Sequence, residues 1–215
     1  MAAVKLAIDR YGLGPLETNC YVMRAERGAE EAVIIDPGGD VTDLRLELAR
    51  GAVRCVAILL THGHWDHVLG VADLAEATGA PVYAAAAELP EIEQGATGWL
   101  GAPPMRTFTP DQMLSGGETL NLAGIEIEVI AAPGHRPGHL VFAAGGVLFV
   151  GDVLFRDSVG RTDLPGGDWD TLMQTLQALT ERFPSETPVY PGHGPETTIG
   201  RELRNNPFLE ELRDS

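Results

Sequence analysis

Three histidines and one aspartate lie within six consecutive positions of the segment "HGHWDH", as His62, His64, Asp66 and His67. The chain has only six histidines, and all of them are predicted to lie in loops that follow strands; the other three are His135, His139 and His193. A single isolated histidine is usually an ordinary hydrogen-bonding residue. Six histidines at strand ends, accompanied by Asp66 and Asp152, instead favour one shared site.

The spacing in this segment allows four side chains to converge. Side chains alternate in an extended backbone, so His62 and His64 project to the same side. Asp66 and His67 are predicted to begin the next helix, from which they can turn back toward the two histidines. The sequence therefore predicts one cluster of nitrogen and oxygen atoms directly behind a strand.

The residue types in this cluster are those that bind divalent metal ions. Neutral imidazole and carboxylate are ligands of Zn²⁺, Fe²⁺ and Mn²⁺, and the cluster contains no cysteine. Structural zinc sites are typically closed by four ligands rich in cysteine, which does not fit this set. There are also too many histidines and aspartates for one ion, so the pattern indicates two ions that share a carboxylate and a water molecule.

The first part of the chain alternates strands and helices. Three antiparallel strands are predicted in "VKLAID" (4–9), "NCYVMRA" (19–25) and "EAVIIDPGGD" (31–40), whose apolar run ends at proline and glycine. A helix from Val41 to Arg50 follows, with Asp40 as its cap. The apolar run "CVAILL" (55–60) is typical of a fully buried strand. Residues 68–79 are predicted to be helical, and "PVYAAAAE" (81–88) to turn from strand into helix. Residues 89–110 are rich in proline and glycine without clear periodicity, which indicates a loop or lid.

The second part repeats the alternation. Strands are predicted in "ETLNL" (118–122), "IEIEVIAAP" (125–133), "HLVFAA" (139–144), "GVLFVGD" (146–152) and "TPVYPGHG" (187–194). Apolar residues from Trp169 onward recur at helical spacing behind Asp168, which predicts a capped helix that packs on the core. The C-terminal segment is predicted to be a polar helix and tail. We expect an α/β (α+β) fold, a four-layer αβ/βα sandwich with the metal site at one edge between two mixed sheets.

Composition limits the function further. With 215 residues, 44% of them hydrophobic, the chain is expected to form one domain, 1–215, around one sizeable core. A net charge of −16 argues against binding to nucleic acid, and the absence of an apolar run near about 20 residues argues against a membrane partner. Cys20 and Cys55 lie in apolar surroundings, so buried thiols in a reducing cytoplasm are expected.

Four motifs together resemble one known family. "THGHWDH", "APGHRPGH", "FVGDVLF" and "YPGHG" are similar to motifs of the metallo-β-lactamase fold superfamily. The resemblance extends from "TNCYVM" through "IIDPGGD" to "RNNPFL", and it is greatest to the short glyoxalase II-like hydrolases that lack a separate C-terminal helical domain. Carried over by position, it implies that His62, His64 and His135 hold one metal ion and that Asp66, His67 and His193 hold the other. It also implies that Asp152 bridges the ions and that His139 lies outside the ligand set.

The resemblance implies a dinuclear hydrolase of acyl thioesters such as S-D-lactoylglutathione. Water held between the ions would be the nucleophile, with Asp66 and Asp152 as its catalytic residues. Two divalent ions are expected, zinc first and iron or manganese as alternatives. Asp36 is interpreted either as a hydrogen-bond partner of a ligand histidine or as a turn residue before Pro37.

The substrate assignment depends on one residue. Glyoxalase II enzymes carry a lysine and a tyrosine after the bridging aspartate, where this chain has Arg161 and Asp163. Arg161 could hold a substrate carboxylate through its planar guanidinium, or it could pair locally with Asp157 or Asp163. The substrate is therefore predicted as a small acyl thioester without a commitment to glutathione, and the oligomeric state stays open.

Two other functions remain as alternatives. A mononuclear iron persulfide dioxygenase shares the fold and the "GRTD" segment at 160–163. The hydrolase form "YPGHGPET" around His193 argues against it, because the second metal is not held in those dioxygenases. A non-catalytic metal-binding relative is harder to reconcile with a complete ligand set.

Overall fold

The computed structural model describes residues 6–95 and 102–213, and its largest elements are two six-stranded sheets. The first sheet has its strands in chain order, as β1 Ala7–Leu13, β2 Thr18–Arg24, β3 Glu31–Ile35, β4 Arg54–Leu59, β5 Val82–Ala85 and β6 Gln112–Leu114. The first three strands pair antiparallel, and the last three continue the sheet in parallel. The sheet is therefore mixed, as expected.

The second sheet is built from the second part of the described chain. Four consecutive antiparallel strands form most of it, as β7 Thr119–Leu122, β8 Ile125–Ala131, β9 Leu140–Ala144 and β10 Val147–Gly151. A two-stranded hairpin follows, as β11 Leu154–Phe155 and β12 Ser158–Val159. The sheet is then completed beside β10 by β13 Pro188–Pro191, which is parallel to it, and by β14 Thr197–Thr198.

Helices cover the outer faces of both sheets. They are α1 Thr42–Arg50, α2 Trp65–Val68, α3 Val71–Thr78, α4 Leu89–Gln94, α5 Trp169–Arg182 and α6 Ile199–Asn205, with 3₁₀ turns at Ala86–Glu88 and Pro207–Leu212. Asp168 caps α5 by accepting a hydrogen bond from the backbone N–H of Thr171, as predicted. None of the helices in the described parts of the chain has the length and apolar character needed to cross a bilayer.

Three apolar clusters confirm the four-layer αβ/βα arrangement. Alternation along β2 sends Cys20 and Val22 to a cluster shared with α1 and α3, and Tyr21 and Met23 to a cluster between the two sheets. A third cluster joins the second sheet to α5 and α6. Cys20 and Cys55 are buried free thiols.

Several boundaries differ from the sequence predictions. The first strand is Ala7–Leu13 rather than 4–9, because its partner β2 continues through Thr18 and hydrogen bonds extend β1 to Leu13; positions 4 and 5 lie outside the described residues. The single helix predicted at 68–79 is two helices, which meet at Leu69 and Gly70. The Val41–Arg50 helix begins at Thr42, and Asp40 accepts the N–H of Thr42 from outside it.

The segment 89–110 is not wholly a loop. Its first six residues form α4, whose proline lies in the first turn, where the missing N–H costs no helical hydrogen bond. Residues 102–110 have no regular structure, and 96–101 lie outside the described residues. Whether the segment acts as a lid stays a prediction.

Two expectations about helix packing were also incomplete. Trp169 is 43% exposed rather than part of the core, and its ring lies against Phe208. The C-terminal helix and tail are not simply polar, because Ile199 in the helix and Leu209 in the 3₁₀ turn after it are apolar and buried.

Candidate metal centre

All of the proposed ligands lie in loops at one edge of the molecule. His62 and His64 follow β4, His135 follows β8, Asp152 follows β10, and His193 follows β13. The strands β8, β10 and β13 run in the same direction in the second sheet, so their C-terminal ends meet at this edge. Asp66 and His67 lie on α2, directly after the β4 loop.

Three histidines form the first group of donors. His62 Nε2 and His135 Nε2 each lie 3.0 Å from His64 Nδ1. All three residues are buried. Their ligand nitrogens are close enough to bind one ion. His64 and His135, which lie on different loops, are 71 positions apart in the chain.

Hydrogen bonds on the far side of two rings fix which nitrogen carries the proton. The carbonyl oxygen of Arg161 can only accept, so it takes the Nδ1–H of His135 at 2.7 Å. Thr61 Oγ1 donates to Asp36 and therefore accepts from His62 Nδ1 at 3.1 Å. Both Nε2 atoms then point lone pairs at His64. One hydrogen on His64 Nδ1 cannot satisfy both, whereas a cation placed among the three nitrogens can.

The second group contains two histidines and one aspartate. Asp66 Oδ2 lies 3.2 Å from His193 Nε2 and 3.6 Å from His67 Nε2. The hydroxyl of Thr18 donates to the same oxygen at 3.0 Å. These three residues again place their ligand atoms close enough to bind one ion.

Asp152 lies between the two groups. Its Oδ2 is 3.7 Å from both His135 Nε2 and His193 Nε2, and its Oδ1 is 3.3 Å from His67 Nε2. Among the described residues, neither Asp152 Oδ1 nor His67 Nε2 has a hydrogen-bond partner, although both atoms are buried. Buried polar atoms are almost always satisfied, so this pair marks a position for an ion.

The electrostatics of the two groups differ. Burial and the repulsion of neighbouring histidines hold the pKa of His62 well below its ordinary value and lower the pKa of His64 to about 3. Burial also lowers the pKa of His135. These rings stay neutral, which is the form that binds metal.

Carboxylates reverse this effect in the second group. Burial alone would lower the pKa of His67, but Asp152, Asp66 and Asp36 raise it well above its ordinary value. Burial also opposes charge on His193, whose hydrogen bond to Asp66 and proximity to Asp152 nevertheless raise its pKa. Without an ion both rings bind a proton more readily than an ordinary histidine does, so protons compete with an ion for these two nitrogens.

Asp36 and His139 support the cluster from outside it. Asp36 has φ of 51°, and its carboxylate accepts hydrogen bonds from the backbone and hydroxyl of Thr61 and from His67 Nδ1. Of its two interpretations, the hydrogen bond to a histidine of the cluster is the one present. His139 stacks on His62 and accepts the backbone N–H of Asp152 through Nε2.

Arg161 does not point into the cluster. Its guanidinium is exposed and makes two hydrogen bonds of 2.7 Å to Asp163, which is one of the local pairings considered above. Its backbone carbonyl, by contrast, holds the ring of His135. The role of the side chain in substrate binding stays a prediction.

Sequence reasoning missed two sets of supporting residues. Strand β2 provides Thr18, whose hydroxyl holds Asp66, and Asn19, whose amide donates to the carbonyls of Pro191 and Gly194 beside His193. Glu88 and Arg136 form a buried ion pair beside the first group. The "TN" at the start of β2 belongs to the "TNCYVM" segment of the family resemblance and could have suggested the first set, whereas nothing in "AAAAELP" indicates that Glu88 contacts the histidine loops.

Comparison with known proteins places this geometry in a family. The family model described as the metallo-beta-lactamase superfamily matches residues 13–193. Among curated proteins, the chain is 37% identical to the hydroxyacylglutathione hydrolase GloC of Haemophilus influenzae, over 90% of this chain and 93% of that protein.

Two solved structures are similar over nearly the whole chain. One is BLEG-1, described as a B3 metallo-beta-lactamase, with a TM-score of 0.89 and 38% identity, covering 95% of this chain and all of that one. The other is a protein crystallised in a di-iron-bound form, with a TM-score of 0.81 and 42% identity, covering 94% of this chain and all of that one.

Proposed function

The chain belongs to the metallo-beta-lactamase superfamily, and on that premise we propose that it is a dinuclear metal-dependent hydrolase of small acyl thioesters. In this proposal His62, His64 and His135 hold one divalent ion and Asp66, His67 and His193 hold the other. Asp152 is the shared ligand. The observation that carries the proposal is the position of Asp152, whose two carboxylate oxygens lie within 4 Å of histidine nitrogens from both groups.

The chemistry of hydrolysis divides between the ions and the protein. When bound, two divalent ions supply a water molecule that loses its proton near neutral pH and an electrophile for the substrate carbonyl. Asp66, held by the hydroxyl of Thr18, orients the attacking water through its carboxylate. Asp36 and the carbonyl of Arg161 keep His67 and His135 in the tautomer that leaves Nε2 available. No side chain of the protein needs to act as nucleophile.

Substrate access is expected from the side of His193. Its side chain is 29% exposed, whereas those of His67 and His135 are almost completely buried. The ring of Phe155 lies 6.1 Å from the ring of His193 and offers an apolar wall beside it. The similarity to GloC of Haemophilus influenzae supports a thioester of a hydroxy acid as the substrate class.

The metal is proposed to be zinc, with iron and manganese as alternatives. Histidine and carboxylate ligands accept all three ions, and availability often decides which is bound. The similar protein crystallised with two irons supports iron as a real alternative. The proposal therefore sets the number of ions at two, and the available metal decides their identity.

A substrate panel on protein of measured metal content tests the proposal. We expect two ions per chain and faster turnover of S-D-lactoylglutathione and other acyl thioesters than of a homoserine lactone or the cephalosporin nitrocefin. Nitrocefin turnover equal to the thioester rate would favour a lactamase, as the similarity to BLEG-1 allows. One iron per chain, with O₂ consumed on glutathione persulfide, would favour the dioxygenase.

Arg161 tests whether the thioester carries a remote carboxylate. To bind one, the guanidinium must leave Asp163, so Arg161→Ala should raise KM for S-D-lactoylglutathione about 10-fold with little change in kcat, which corresponds to about 1.5 kcal/mol. A neutral thioester should be unaffected. Steady-state kinetics on both substrates measure the difference.

Asp163→Ala is the matched control for Arg161. It frees the guanidinium of its partner, so KM for the anionic thioester should fall while KM for the neutral thioester stays the same. Equal losses on both substrates in Arg161→Ala would instead mean that Arg161 acts by supporting the loop whose carbonyl holds His135.

A further inference from the structure

We propose that Glu88 and Arg136 are positioning residues that hold the two loops of the first metal site, 62–64 and 135–139, in binding geometry. The inference rests on the proposed dinuclear function. Neither residue belongs to the ligand set, and the sequence motifs give Glu88 no role. The site depends on loops from different sheets, so something must fix the distance between them.

The carboxylate of Glu88 bridges the two loops directly. Glu88 is completely buried at the end of the 3₁₀ turn before α4. Its Oε2 accepts the backbone N–H of Gly63 and its Oε1 accepts the backbone N–H of Gly138, both at 2.9 Å. Gly63 separates His62 from His64, and Gly138 precedes His139, so one side chain fixes both ligand loops.

The two glycines make this contact possible. A Cβ on Gly63 would lie 3.0 Å from Glu88 Oε2, and a Cβ on Gly138 would lie 2.9 Å from both Oε1 and Cγ of Glu88. Any side chain at Gly138 would therefore push the carboxylate away. The absence of side chains at both positions is explained by the approach of Glu88.

Arg136 completes the unit from within the second loop. Its Nε donates to Glu88 Oε2 at 3.1 Å, and its terminal nitrogens reach Glu91 at 3.1 Å and the carbonyl of Pro165 at 2.7 Å. The loop containing Pro165 also provides the Arg161 carbonyl that holds His135. His135 is thus fixed in two ways. Glu88 holds the 135–139 loop, and the Arg161 carbonyl of the neighbouring loop holds the imidazole ring.

Burial of the Glu88–Arg136 ion pair does not by itself show that the pair stabilises the fold. Pairs of this kind often contribute no more to folding than apolar residues of similar size, because desolvation of both charges offsets their attraction. The second group of ligands has supports of its own in Thr18, which holds Asp66, and Asn19, which holds the backbone beside His193. Loss of the Glu88 contacts should therefore weaken one metal site and leave the other intact.

The test compares Glu88→Asp and Glu88→Gln with wild type. Glu88→Asp keeps the charge but is one methylene too short to reach both glycines, and Glu88→Gln keeps the length but replaces one acceptor with a donor. Each should weaken the binding of one of the two ions by about 10- to 100-fold and leave the other within about 3-fold. Competition titration of zinc against a chromophoric chelator measures both constants, and the visible absorption spectrum of the cobalt-loaded protein reports ligand geometry at the weakened site.

Glu202 provides matched control substitutions. It is equally buried, its carboxylate accepts the backbone N–H of Asp157, and it pairs with Arg201, but it contacts neither ligand loop. Glu202→Asp and Glu202→Gln should lower the melting temperature without changing either zinc constant or the cobalt spectrum. A general loss of stability would affect both pairs of variants alike.

Every outcome decides the proposal. If folded Glu88 variants bind both ions as tightly as wild type, or lose both equally, Glu88 is not a positioning residue of the first site. If neither Glu88 variant folds, the zinc titration and the cobalt spectrum are measured on Arg136→Lys. This variant keeps the positive charge but loses the planar guanidinium that contacts Glu88, Glu91 and Pro165 together. If wild type binds two ions, failure of the variants to differ overturns only this inference; if wild type binds none, the proposed function fails as well.

Discussion

Replacing Asp152 with alanine should reduce the bound metal from two ions to one and lower kcat/KM by more than about 100-fold, since loss of even an outer-shell partner costs 10- to 100-fold. Asp152 is the only residue whose carboxylate lies beside nitrogens of both groups in the described chain. Burial alone would raise its pKa, but His67, His193 and His135 lower it well below its ordinary range. The lowered pKa favours the charged carboxylate, and its removal leaves two cations to repel each other.

Metal analysis after dialysis and thioester kinetics measure both effects. The substitution leaves the backbone N–H that His139 accepts, so this support of the loop is retained. Asp170→Ala, at an exposed aspartate in the first turn of α5, is the control and should keep two ions and full activity. Two tightly bound ions in Asp152→Ala would show that Asp152 is not the shared ligand.

Acidification should remove the ion at Asp66, His67 and His193 well before the other one. Because the pKa values of His67 and His193 are raised, protons compete with an ion for both rings, and its affinity should fall by up to about 100-fold per pH unit where both rings bind protons. The lowered pKa values of His62, His64 and His135 mean that few protons compete at the first site over the same range. Metal content should pass from two ions to one as activity disappears.

Proton release on addition of zinc to metal-free protein measures the difference directly. In weakly buffered solution near pH 7, one equivalent of zinc should release fewer protons than the next. Circular dichroism over the same pH range is the control, because the loss of the ion should precede any loss of secondary structure. Simultaneous loss of both ions on acidification would contradict the assignment of separate groups.

The parts of the site that are close in sequence were predictable without the structure. The spacing of His62, His64 and His67 behind a buried strand identifies a cluster because backbone geometry alone brings these side chains together. The same holds for the capped helix behind Asp168, whose capping hydrogen bond spans three residues. The two series of strands, each accompanied by helices, then predicted the four-layer fold, which the two sheets and three apolar clusters confirm.

Other local predictions failed where longer-range contacts decide the outcome. The first strand extends to Leu13 because it pairs with β2 over its whole length. This pairing outweighs the weak β propensity of Gly12. α4 forms in a segment whose composition favours a loop; its proline lies in the first turn, and Glu88 just before it accepts hydrogen bonds from Gly63 and Gly138. Trp169 matches the apolar spacing of α5 yet lies exposed, since spacing alone does not mark where the core ends.

The sequence by itself determined which residue types can bind metal, how many there are, and which strand ends present them, because these depend on chemistry and on spacings of a few residues. Only the tertiary structure decided that Asp152 lies between the two groups, that Arg161 uses its carbonyl on His135 and its side chain on Asp163, and that Glu88 joins the loops. Several of these contacts join residues that are far apart in the chain, such as Glu88 and Gly138, which are 50 positions apart. Their partners are chosen by the packing of two sheets, which no local pattern encodes.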